Sequence, residues 1–97
     1  MLVLVSYDVS TANKRGQRRL RRVAKICESF GLRVQNSVFE CIVDPAQWTR
    51  LRNLLLKAYS QEEDSLRFYF LGTNWERRVE HHGTKETLNL EKDTLII

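Results

Sequence analysis

The first ten residues, MLVLVSYDVS, place four apolar positions in a row, Leu2 to Val5, ahead of Ser6, Tyr7 and the acidic Asp8. A short apolar run rich in β-branched residues predicts a strand over Met1–Ser10, buried on both faces, with Asp8 where the strand leaves the sheet. The period then changes. From Lys14 to Phe30, Leu20, Val23, Ala24, Cys27 and Phe30 recur at three- and four-residue intervals, which predicts a helix with one core-facing stripe. Thr11 or Asn13 is placed to cap it, Gly16 weakens its first turn by about 1 kcal/mol relative to Ala, and Gly31 stands where a left-handed terminator belongs.

Leu32 to Val43 reads as a second strand whose alternation is interrupted by Gln35, Asn36 and Ser37, which admits a bulge. Asp44-Pro45-Ala46-Gln47 starts the next helix: Asp44 caps, proline takes the first helical position and Gln47 can close a capping box. Trp48, Leu51, Leu54, Leu55 and Ala58 form its apolar stripe, ending near Tyr59. The acidic loop Ser60–Asp64 either points away from an anionic partner or pairs with a basic one. Leu66–Leu71 is an aromatic strand, Gly72-Thr73-Asn74 turns the chain, and Trp75–His81 can return as a hairpin. Residues 83–93 are polar, and Thr94–Ile97 is a strand-prone tail that needs a sheet edge, its own or another subunit's.

This order predicts an α+β (broadly α/β) domain on the ferredoxin-like β-α-β-β-α-β plan, with two helices on one face of an antiparallel sheet. The missing hairpin strand is either a bent part of 32–43 or the tail. One domain spans 1–97, with 84–97 as a C-terminal tail strand. The open sheet face, apolar along Leu2–Val5, predicts a homodimer packed sheet to sheet.

Composition adds one decisive feature. A hydrophobic fraction of 42% and a charged fraction of 29% are ordinary for a globular chain, and the net charge is +4. Yet seven basic residues and no acid lie between Lys14 and Lys25. Arg15, Arg18, Arg19, Arg22 and Lys25 share a helical face opposite the core stripe, flanked by Lys14 and Arg21. Solvated faces usually mix signs so that neighbours pair; a one-signed face points to a polyanion, with nucleic acid ahead of membrane. The apolar runs are too short to span a bilayer and no charged leader precedes Asp8, which predicts a cytoplasmic protein without a membrane partner. Cys27 and Cys41 have no metal or disulfide spacing and read as small buried hydrophobes. Adjacent strand residues His81 and His82 point to opposite faces and cannot easily share one ligand site.

Taken alone, Asp8 reads as a turn or cap residue, since a lone carboxylate makes a poor magnesium site. A two-fold axis near the first strand would set two Asp8 side chains around one divalent ion and bring an activated water to a phosphodiester. Phe39 is either core or an exposed ring for stacking on a base or a partner subunit.

The Tyr7-Asp8-Val9 strand end, the basic first helix, the run Gly31-Leu32-Arg33-Val34-Gln35-Asn36-Ser37-Val38-Phe39-Glu40 and the aromatic strand Leu66–Leu71 together resemble the small CRISPR-associated endonuclease family. The resemblance covers nearly the whole chain. It implies a ferredoxin-like homodimer that works with the CRISPR integrase subunit in acquiring new spacers, with a C-terminal strand that crosses to the partner. It further implies a nuclease dependent on Mg2+ (or Mn2+), acting on RNA or DNA, with Asp8 as the metal-binding aspartate. Arg33 and Phe39 match positions tied to the nucleic-acid site, and Arg19 and Arg22 match helix arginines more loosely. Nuclease activity and adaptor function need not coincide, so a non-catalytic dimeric scaffold that holds duplex DNA is the alternative. A regulatory domain with no nucleic-acid affinity is a third reading.

Overall fold

The computed structural model describes residues 1–71 and 79–84. Five strands form one antiparallel sheet: β1 (Leu2–Asp8), β2 (Leu32–Gln35), β3 (Val38–Ile42), β4 (Ser65–Phe70) and β5 (Val79–Gly83). Two helices, α1 (Lys14–Glu28) and α2 (Pro45–Ala58), complete the described fold. The sheet order is β2-β3-β1-β4-β5, so β1 lies at the centre, hydrogen-bonded antiparallel to β3 and β4. This is the ferredoxin-like order with a fifth strand added beside β4.

The hairpin strand is found in the 32–43 stretch. That run is two short strands, β2 and β3, with Asn36 and Ser37 at the turn and a bulge between Arg33 and Gln35. The turn was hidden because Asn36-Ser37 lacks the glycine that marks most tight hairpins, and no non-glycine residue among those described has positive φ.

Expected caps form at both helix starts. The Asn13 side chain accepts from the Gly16 N–H at 2.9 Å. The Asp44 carboxylate accepts from the Gln47 N–H at 2.7 Å while the Gln47 side chain accepts from the Asp44 N–H at 2.9 Å, closing the capping box. Gly31 departs from expectation, because it is not left-handed. A Cβ there would lie 2.2 Å from the Glu40 carbonyl oxygen, so glycine serves close packing on β3.

Both helices cover the same sheet face. Val3, Val5 and Tyr7 of β1, Phe39 and Cys41 of β3, and Leu66 and Phe68 of β4 join Val23, Cys27, Leu51 and Leu55 in one core. Trp48 packs edge-on against Phe68 and Phe70, with ring centroids 4.9 and 5.0 Å away. Leu54, read as part of the apolar stripe, is exposed. Within one chain the first strand is buried on one face: Leu2, Leu4 and Ser6 alternate onto the other face and stay partly exposed. Leu32 and Ile42 are exposed too, at 76% and 81%.

His81 and His82 belong to β5, while the turn at 72–74 and the tail strand Thr94–Ile97 lie outside the described residues. Among the described residues, no helix is long and apolar enough to cross a membrane.

Candidate nucleic-acid interface

Strand pairing sets the position of Asp8. It is the last residue of β1, opposite Ser65 of β4, and its side chain is exposed on the rim of a groove of about 810 Å³. Arg21 of α1, Arg33 of β2 and Arg67 of β4 also line this groove, as do Ser6 and Tyr7. A carboxylate on a rigid strand end therefore stands among cations from three separate elements. Arg67 and the flanking Arg21 did not stand out as site residues in the sequence. The available signal was a lone cation inside the aromatic run Leu66–Leu71, and only the Ser6–Arg67 register brings it beside β1.

The cationic stripe of α1 is present with one member removed. Lys14, Arg15, Arg18, Arg21, Arg22 and Lys25 are all exposed. Arg19 instead turns onto Asp64, donating from Nε at 2.8 Å and from a terminal nitrogen at 3.2 Å, and it also meets Glu63 at 3.1 Å. Arg19 is thus engaged by carboxylates of its own chain, unlike the other members of the stripe. The physical reason is angular: at about 100° per residue Arg19 falls between the cationic face and the Val23 edge of the core stripe. The acidic loop thus pairs with a basic residue of its own chain.

Asp64 is fully buried. Its carboxylate also accepts from the backbone N–H groups of Ser10 at 3.0 Å and Ser60 at 2.8 Å. Burial pushes its pKa up, but the Arg19 hydrogen bond and the Ser60 and Ser10 amides outweigh that and hold it below the usual carboxylate range. Behind it, the Thr84 N–H donates to the Asp64 carbonyl at 3.0 Å. Gly83, at φ 113°, passes so close that a Cβ would lie 1.9 Å from that carbonyl oxygen.

Arg33 and Phe39 come together, although Phe39 does not face solvent. Phe39 is fully buried, so of the two readings open for it the core one holds within this chain, and its ring is not exposed for stacking on a base. Its β3 position turns it towards the helices, and the Arg33 guanidinium lies 5.0 Å from its ring centroid. Arg33 is further held by Glu28 at 3.1 Å and by the Asn36 carbonyl at 3.1 Å, while its side chain remains 43% exposed. Phe39 is thus a platform for Arg33. Tyr7 lies beside Phe39 at 6.1 Å between centroids, and burial, then Cys27, raise its pKa.

Other candidate chemistry resolves into structure. Burial pushes the Cys27 thiol up to about 12 and the Cys41 thiol up to about 11, so neither is a ready nucleophile. The histidines diverge as expected: His81 Nδ1 accepts from Arg67 Nε at 3.0 Å, whereas His82 pairs with Glu80, which Arg52 also meets at 2.7 Å. Among the described residues, no three of the His, Cys, Asp and Glu side chains converge as a metal cluster.

Comparison with known proteins agrees with this architecture. The sequence pattern of the family described as CRISPR associated protein Cas2 matches residues 1–79. The CRISPR-associated endoribonuclease Cas2 of Chlorobaculum tepidum is 62% identical over 97 residues, covering 100% of both chains. The CRISPR-associated endonuclease Cas2 of Halalkalibacterium halodurans is 54% identical over 96 residues, covering 99% of each. The crystal structure of Streptococcus pyogenes Cas2 at pH 6.5 superposes with a TM-score of 0.70 at 54% identity, covering 82% of this chain and 96% of that one. A central strand ending in Asp8, the split hairpin after a cationic helix, and likeness over the full length of relatives lead to one assignment: this chain belongs to the CRISPR-associated Cas2 family.

Proposed function

We propose that this chain is a metal-dependent endonuclease that cuts RNA or DNA as a homodimer and acts with the CRISPR integrase subunit in spacer acquisition in the cytoplasm. The observation that carries the reading is Asp8, exposed at the end of the central strand on a groove lined by Arg21, Arg33 and Arg67. The relatives' names support nucleic-acid cleavage and differ on its substrate, since one is an endoribonuclease and another an endonuclease.

The Asp8 carboxylate suits a hard cation, but a single carboxylate is too few for a dedicated site. A second copy laid on the open sheet face would supply another Asp8 and would cover Leu4, Leu32 and Ile42. Mg2+ or Mn2+ held there would activate water and neutralise charge developing on a phosphodiester. Exposed arginines and lysines of α1 bind the nucleic-acid backbone through its phosphates, and Arg33, braced by Glu28 and Phe39, presents a fixed guanidinium to the groove.

The second reading, a non-catalytic scaffold for duplex DNA, is favoured by one observation. The cations are spread along α1, whereas each chain offers one Asp8. A cleavage assay with Mg2+ on RNA, single-stranded DNA and duplex DNA, run beside Asp8→Asn, separates the two. Cleavage lost in Asp8→Asn with binding retained supports the nuclease; binding without cleavage by the unaltered chain supports the scaffold. Cleavage that persists unchanged in Asp8→Asn overturns the mechanism.

A further inference from the structure

The peptide that follows the Asp8 strand end is held by a carboxylate 54 residues further along the chain, where Asp64 Oδ1 accepts from the Ser10 N–H at 3.0 Å. On its other side, the Ser10 carbonyl packs against α1 so closely that a Cβ on Gly16 would lie 1.8 Å from its oxygen. Before Asp8, β1 is paired to β4 up to the Asp8–Ser65 contact, and Ser65 directly follows Asp64. Asp8 is therefore bracketed, by strand pairing ahead of it and by the Asp64 carboxylate behind it, with Val9 buried between.

Arg19 completes the bracket. Its Nε and a terminal nitrogen take both Asp64 oxygens, and Glu63 meets that same terminal nitrogen at 3.1 Å. We infer that Arg19 and Asp64 are a pair of positioning residues behind Asp8, which fix the Val9–Ser10 exit and so the presentation of the Asp8 carboxylate, and that Arg19 is not a phosphate contact of the cationic helix. The catalytic consequence rests on the reading of Asp8 as a metal ligand. A buried ion pair is a weak source of net stability, because desolvation offsets much of its attraction, and its use is to specify geometry. Removing the cation leaves the buried carboxylate uncompensated, and the Ser10 amide loses a fixed acceptor.

The test compares Arg19→Gln and Arg19→Lys with Arg22→Gln from the exposed stripe and with Leu55→Ala from the core. Binding to a fluorescent DNA duplex is followed against salt. Arg22→Gln shallows the slope of log affinity against log salt by about 0.9, whereas Arg19→Gln leaves it unchanged. Hydrogen exchange at the Ser10 amide speeds up by about tenfold or more in Arg19→Gln. With Mg2+ titrated into the cleavage reaction, the requirement for the ion rises about 10- to 100-fold in Arg19→Gln, as for residues that orient a metal ligand, and less in Arg19→Lys. Leu55→Ala lowers Tm without moving that requirement. Should Arg19→Gln fail to fold, Arg19→Lys with the same slope and exchange measurements decides the matter.

A slope lost as fully in the Arg19 variant as in Arg22→Gln, or unchanged exchange at Ser10, overturns the proposal. An unaltered chain that cleaves none of the substrates removes the nuclease reading alone, because slope and exchange still decide whether Arg19 positions or binds.

Discussion

Asp8 and Asp64 lie at the same junction of β1 and β4, Asp8 opposite Ser65 and Asp64 just before it, yet their surroundings differ in every respect. Asp64 is fully buried and accepts four hydrogen bonds, two from Arg19 and one each from Ser10 and Ser60. Asp8 is exposed on a groove with arginines from three elements. A carboxylate whose lone pairs are spent on its own chain joins elements together. One that is exposed at a rigid strand end can face a cation from outside the chain. Burial separates the two roles more clearly than residue type does.

The sharpest way to test this contrast is to neutralise each acid. Asp8→Asn is expected to lower cleavage about 100-fold or more, the scale of a lost metal contribution, with nucleic-acid affinity retained. Single-turnover cleavage and a binding titration check it, and an equal loss of affinity would move Asp8 into the binding surface. Asp64→Ala is expected to destabilise the fold by about 3–5 kcal/mol, because it leaves the Arg19 cation and the Ser10 and Ser60 amides without their shared acceptor. Asp8→Ala should cost less than Asp64→Ala, because Asp8 is exposed. Urea denaturation of the two proteins reads the difference, and similar midpoints would break the comparison.

Acid separates them next. The Asp64 pKa is lowered in the folded chain, so the unfolded chain takes up the proton more readily. Its contribution is then fully present above the ordinary carboxylate value, about 3.9, and is lost as pH falls through the lower folded value. Glu80 adds in the same direction, since Arg52 and His82 outweigh the upward push of burial. Asp64→Asn should therefore flatten the fall in stability below about pH 4. Denaturation midpoints measured from neutral pH into acid would show it. The smallest expected effect is at Leu54, where exposure implies a change within about 0.5 kcal/mol on substitution by Ser, against about 2–5 kcal/mol for Leu55→Ala in the core.

Much of this architecture was legible locally. The capping box at Asp44–Gln47, the Asn13 cap and the helical stripe of Val23 and Cys27 depend on spacing within a few turns, and each forms. The strand end at Asp8 was equally plain. Apart from the glycine-free turn at Asn36-Ser37, the missed features originate in contacts between distant segments. Gly16 looked like a helix-weakening residue, and packing on Ser10 gives it a purpose that no local propensity records. Arg19 looked like one more cation of the stripe until Asp64, 45 residues away, claimed it. Phe39 could be core or an exposed stacking ring from its pattern alone; it is core, and Arg33 lies over its ring.

The amino-acid sequence by itself determined both helices and where they begin, the first strand and the aromatic strand, and that one helix carries cations of a single sign. Those properties follow from periodicity and backbone capping, which act over a few residues. The tertiary structure decided which of those cations remain outward, which carboxylate is buried, and that Arg21, Arg33 and Arg67 line one groove with Asp8. Charge and burial are set by which elements are packed together, and strand register fixes that across the whole chain.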